Sequence, residues 1–122
     1  MSRQREALAD RVRAALPPDG AVREISMFGG LTFMLEDRMV VCAHRDGSLL
    51  VRIDPDRSVE LLRAPQAHPA VMGPDRPMGA GWLTVTADGL TTDEQVTGWV
   101  DVALQYHRRH RAAPVKRGPL RA

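Results

Sequence analysis

Several things that would narrow the chemistry of this chain are scarce in it. Among 122 residues there is one cysteine, Cys42. An internal disulfide is therefore excluded, and a reducing compartment is the expected surrounding. There is one lysine, Lys116, against sixteen arginines, and the aromatic residues number two Trp, two Phe and one Tyr. So few aromatics leave no aromatic–basic stripe on which successive bases of a nucleic-acid strand could stack. No run approaches the ~18–20 continuous apolar residues that cross a bilayer. The opening MSRQREALADRVRAAL is charged throughout and has no apolar secretory region. The expected location is the cytoplasm, with no membrane association.

Common catalytic motifs are also missing. No phosphate loop occurs, and Gly79-Ala80-Gly81 reaches Thr84 where a dinucleotide fingerprint needs a third glycine. There is no Gly-x-Ser-x-Gly nucleophile elbow. Neither His-Glu-x-x-His nor paired Cys-x-x-Cys is present, so no dedicated zinc site is expected. These absences predict a protein without enzymatic activity, cofactor or metal.

The apolar fraction is 43%, enough for a packed core. A chain of this length suits one domain and needs no disulfide or metal to hold it. Leu8, Val12, Ala15 and Leu16 recur at helical spacing, predicting an amphipathic helix over 3–16, which Pro17-Pro18-Asp19-Gly20 ends. From Arg23 the period becomes two. Ile25 and Met27 share a face, followed by Leu31, Phe33 and Leu35, then Met39, Val41 and Ala43, then Leu49, Val51 and Ile53. Such alternation marks strands with one face on a core. The connectors Gly29-Gly30, Glu36-Asp37-Arg38 and Arg45-Asp46-Gly47 are too short for crossover helices, so the sheet should be an antiparallel meander.

Asp54-Pro55-Asp56 reads as a helix start, with a helix over about 55–63 turning Val59 and Leu62 inward. Residues 64–81, rich in proline and glycine, read as a long connection without structure of its own. Trp82 to Ala87 forms a fifth strand. Thr91-Thr92-Asp93-Glu94-Gln95 carries a capping box, and Val96, Trp99, Val100, Ala103, Leu104 and His107 make one apolar stripe after it. Pro114 and Gly118 close the ordered part. The expected fold is α+β: about five antiparallel strands flanked by N- and C-terminal helices. The domain would span residues 1–110, with 111–122 as a basic flexible tail.

Charge is distributed unevenly. Residues 1–107 hold eleven arginines against all fifteen carboxylates, a balance of −4, while 108–122 add +6. Arg108, Arg109, Arg111, Lys116, Arg117 and Arg121 are thus candidate nucleic-acid contacts through phosphate neutralisation. The plain alternative is a solvated terminus of an arginine-rich protein. Cys42 and His44 lie two apart on a strand and share a face, which would suit a metal or a nucleophile–base pair. Without a third partner they read as a small filler and a turn residue. His107 and His110, a helical turn apart, read as stripe and tail. Met72 and Met78 suit either core filling or an adaptable surface. Trp82 and Trp99 read as core anchors, and Asp54, Asp56 and Glu60 as a cap and a solvated helix face.

At Met27-Phe28-Gly29-Gly30, followed by Phe33, the chain begins to resemble the TfoX N-terminal domain family. The resemblance continues through Asp46-Gly47, the strand Leu49-Leu50-Val51-Arg52-Ile53-Asp54, Met78 before Trp82, and the closing helix with Trp99. It covers roughly residues 20–108. It implies a bacterial α+β domain compared with secretion-chaperone-like folds that dimerise. The family's named member regulates competence genes and carries a second, C-terminal domain, where this sequence has a short basic tail. The expected role is therefore a non-enzymatic regulatory or protein-interaction module, a homodimer or bound to a protein partner. The alternative is a nucleic-acid-binding accessory protein that uses the tail, similar to the YjbR family.

Overall fold

A computed structural model describes residues 3–17, 22–27, 30–73 and 76–117, with side chains for 6–17, 22–26, 30–71 and 78–109. Helix α1 (Arg3–Ala15) leads into strands β1 (Val22–Met27), β2 (Gly30–Leu35), β3 (Arg38–His44) and β4 (Leu49–Arg52). A 3-10 turn at Pro55–Arg57 and the short helix α2 (Ser58–Leu61) follow. Then come β5 (Ala67–Pro69), β6 (Val71–Gly73), β7 (Arg76–Pro77), β8 (Trp82–Val85) and the long helix α3 (Asp93–Arg117). Six strands form one antiparallel sheet in the order β1-β2-β3-β4-β8-β5, and β6 pairs with β7 apart from it. The α+β architecture read from the alternation is the one observed.

α1 and α3 pack against each other and cover one face of the sheet. Leu8 and Val12 of α1 meet Phe33, Leu35, Val41, Leu49, Val51, Leu83 and Val85 of the sheet, and Val96, Val100, Ala103 and Leu104 of α3 close the same core. Burying each Val or Leu side chain there contributes roughly 1.5–3 kcal/mol. α3 begins where its sequence signal lies. Thr92 Oγ1 accepts from the Gln95 backbone N–H at 3.1 Å, and Gln95 Oε1 accepts from the N–H groups of Thr92 at 3.1 Å and Thr91 at 2.8 Å.

Four local expectations are corrected. The face of β3 changes partway: Phe33 pairs with Val41 but Met34 with Met39, so Val40 is an extra residue, a β-bulge. Val40 and Val41 both enter the main core, while Met39 turns to the opposite face. The helix after Asp54 splits into a 3-10 turn and α2. Val59, expected inward, is 76% exposed there, while Leu62 packs against the core as expected and Leu61 joins it. The 64–81 segment is not structureless, because it supplies β5 to the sheet edge and the β6–β7 ribbon. Finally, Pro114, expected to help close the ordered part, does not end α3, whose backbone runs on to Arg117.

The second face of the sheet has its own small cluster. Cys42, Leu50 and Ala70 are buried there with Met39, Met78 and Trp82 against them. The Met78 N–H donates to the Ala70 carbonyl at 2.8 Å, which ties the returning segment down. The β2–β3 and β3–β4 turns meet their backbone demands differently. Gly47 takes φ 85 in the Asp46-Gly47 turn, whereas Glu36 and Asp37 both sit at positive φ, 53 and 68. Two non-glycine residues in that region are strained. His107 of α3 holds the strained tip, its Nε2 lying 2.8 Å from Glu36 Oε1.

Candidate functional site

The residues with the most chemistry come together where the chain leaves β4 and where α3 passes back over it. Asp54 is fixed by local sequence: its Oδ1 accepts from the Asp56 N–H at 2.9 Å and caps the turn that Pro55 opens. That places Arg57 one turn on, facing α3. Arg57 donates to Gln105 Oε1 and to Glu60 Oε2, both at 3.2 Å. From the helix, Arg109 reaches back to Asp54 Oδ2 at 3.0 Å. Asp54, Arg57, Val102, Gln105, Tyr106, Arg108 and Arg109 then line an open groove of about 380 Å³.

Behind the groove stands a cation–aromatic column. The Arg52 guanidinium lies 5.2 Å from the Trp82 ring and 5.0 Å from the Tyr106 ring, and Arg52 donates to the Tyr106 hydroxyl at 3.4 Å. Arg52 sits on β4 and Trp82 on β8, directly opposite each other in the sheet register. Tyr106 is thus both the outer member of the column and a wall of the groove.

The candidates named from the sequence divide unevenly. Arg108 and Arg109 are exposed and line this groove. Arg111, Lys116 and Arg117 lie on α3 as backbone, with side chains outside the described residues, and Arg121 lies outside them altogether. Cys42 and His44 do share a face, since Thr32 pairs with Cys42 and Gly30 with His44. Cys42 is fully buried, and its sulfur accepts from Thr32 Oγ1 at 3.3 Å. Burial pushes its thiol up from the ordinary range, partly offset by the Thr32 hydroxyl. Burial pushes His44 down, against the pull of Asp46. Asp46 is itself held low by the Ser48 hydroxyl and N–H, which donate to Oδ1 at 2.6 and 3.0 Å. Among the described residues, no group of three or more His, Cys, Asp or Glu side chains could hold a metal ion.

A buried neutral thiol should be inert, because thiolate is the reactive form. Iodoacetamide at neutral pH should modify native Cys42 at least about a hundredfold more slowly than the unfolded chain. Equal rates would mean that the second face opens readily.

His107 is 4% exposed and continues the α3 stripe, as its spacing implies, while the His110 side chain is outside the described residues. Met78 and Trp82 pack on the second face and Trp99 on the main core. The side chain of Met72 is not among those described. Sequence reasoning missed Arg57, Gln105 and the Arg52–Trp82–Tyr106 column. Only the Asp54-Pro55 cap offered a signal, and it located the turn without its partner 55 residues on.

No helix among the described residues is long and apolar enough to cross a membrane. The family model described as the TfoX N-terminal domain matches residues 14–106. Among solved structures, the chain is similar to the crystal structure of Deinococcus radiodurans protein DR2400, which carries a DUF419 family-model domain. The two are 22% identical with a TM-score of 0.59 over 79% of this chain and 75% of that one, a likeness of fold. The comparison with curated proteins returns no match.

Proposed function

Because the chain belongs to the TfoX N-terminal domain family, we propose that it is a non-enzymatic regulatory module, acting in the cytoplasm by pairing the edge of its sheet with another protein chain. A second copy of itself is the first such partner. The observation behind this reading is the contrast between the two ends of the sheet. β5 is three residues long and ends in Pro69, which has no N–H to offer a neighbour. β1 is six residues long, contains no proline or glycine, and pairs only with β2 among the described strands. Such an edge carries a row of backbone donors and acceptors suited to a further strand.

The charges on β1 are already engaged within the chain. Glu24 holds Arg13 of α1, and Arg23 lies 2.7 Å from Asp37 at the β2–β3 turn. That leaves Ile25, half-buried, and Ser26, exposed, to meet an added strand. A homodimer built this way is isologous, with the two β1 strands antiparallel across a two-fold axis.

Light scattering tests the reading. The full chain should run at twice its 13.5 kDa. Ile25→Lys combined with Ser26→Lys should return the monomer without a change of secondary structure, since edge lysines oppose strand addition. A monomeric wild type that also recovers no protein partner would sink the proposal.

A further inference from the structure

We infer that the groove between the Pro55–Arg57 turn and the C-terminal half of α3 is a phosphate-ester site, with Arg57, Arg108 and Arg109 as its anion ligands. The folded body is acidic, −4 over residues 1–107, yet this spot gathers three guanidinium groups around one lining carboxylate, Asp54. Guanidinium is the side-chain group best matched to phosphate oxygens, because its planar fork donates in pairs. Two of the three forks are held in place before any ligand arrives. Arg57 is oriented by Gln105 and Glu60, and Arg109 by Asp54.

The carboxylates oppose an anion but do not close the site. Asp54 is 12% exposed and already shares its two oxygens between the Asp56 N–H and Arg109. Glu60, 64% exposed, meets Arg57 from the solvent side. Because Arg109 (69% exposed) and Glu60 reach their partners from the solvent side, a phosphate taking two or more charge-assisted bonds can displace or share these pairs. Among the described residues, Arg108 makes no ion pair and is exposed beside the others.

The rest of the groove fits what a phosphate ester carries. Val102 and Tyr106 supply an apolar wall, and Arg52 behind the Tyr106 ring adds positive charge. A volume near 380 Å³ has room for a phosphate with an attached sugar or base. The shared ligand chemistry is the phosphate of a nucleotide unit, whether free or part of a single strand.

Fluorescence anisotropy on the full chain with a labelled oligothymidylate of about 15 nucleotides tests the site. Binding should be micromolar at low salt and should weaken as salt rises. Arg57→Gln and Arg108→Gln should each weaken it about three- to tenfold and reduce the salt slope by about 0.7. Arg45→Gln, in the turn between β3 and β4, should leave it unchanged, and none of the three should change the melting temperature appreciably. Displacement by adenosine monophosphate, lost with Arg57→Gln, would assign the site to free nucleotides. Binding of the strand without such displacement would assign it to single-stranded nucleic acid. No binding at low salt overturns the inference. So does binding that ignores Arg57→Gln and Arg108→Gln but is lost with Lys116→Gln and Arg117→Gln, since the end of the helix then acts alone. The β1 edge is not touched by these variants, so the groove and the edge can fail separately.

Discussion

Replacing Gly30 with alanine should cost about 3 kcal/mol or more and lower the melting temperature by roughly 10–15 °C. A Cβ at this position would lie 2.3 Å from the carbonyl oxygen of Ala43, 3.0 Å from its carbon and 3.1 Å from Cys42 Sγ. The first two are backbone atoms of β3, which pairs with β2 at this point. They cannot swing aside as a side chain would. The sulfur is confined as well, fully buried and hydrogen-bonded to Thr32. Relief therefore requires β2 and β3 to part at the very start of the hairpin. Gly98→Ala provides the opposite sign within the same protein. Gly98 lies in α3 and a Cβ there meets nothing within 4 Å. Alanine should stabilise that helix by about 0.5–1 kcal/mol. Denaturant melts of both variants decide the matter. A Gly30→Ala protein within about 1 kcal/mol of the wild type would show that the strands yield cheaply.

This glycine also marks how far the sequence could be read. Gly29-Gly30 read as a short connector between strands, but Gly30 is needed for room beside Ala43, and Gly29 lies outside the described residues. Features set by neighbours in sequence were legible. The Thr92–Gln95 box, the Asp46-Gly47 turn, the Asp54 cap and the α3 stripe are local, and each was visible as a pattern of residue types. What depended on distant partners was not. The bulge at Val40 has no signal of its own, since Met39, Val40 and Val41 are all apolar and alternation cannot say which one is extra. β5 is a three-residue segment containing proline, and it becomes a strand only because β8 lies beside it. Val59 looked like an inward residue of a full helix; a 3-10 segment precedes α2 instead, and Leu61 packs inward beside Leu62 while Val59 stays exposed. For the groove, the tail arginines were named but Arg57 was not, because no periodicity links residue 57 to residues 105 and 109.

Phe33→Ala should be the second large effect, about 3–5 kcal/mol, with Phe33→Leu costing less because it leaves a smaller void. Phe33 is fully buried on the core face of β2, opposite Val41 on β3 and Glu24 on β1. The Arg13 guanidinium of α1 lies 6.0 Å from its ring and meets the Glu24 carboxylate from Nη2 at 2.7 Å. One ring therefore sits beneath the pair that fastens α1 to the edge strand. The Arg13 hydrogen bond holds the Glu24 carboxyl below its usual 4.5, with burial opposing and the charge of Arg13 assisting. A carboxyl held low in the folded state stabilises it fully above its unfolded value. That contribution fades as pH falls below 4.5 and through the lower folded value. If Phe33 supports the pair, Phe33→Ala should lose part of this acid dependence as well as stability. The pH profile of its unfolding free energy between 3 and 6 should then be flatter than that of the wild type (the interval brackets the carboxylate range). An equal slope in both proteins would mean that α1 stays fastened to β1 without the ring. The cost of Phe33→Ala would then come from the cavity alone, leaving the proposed pairing edge undisturbed.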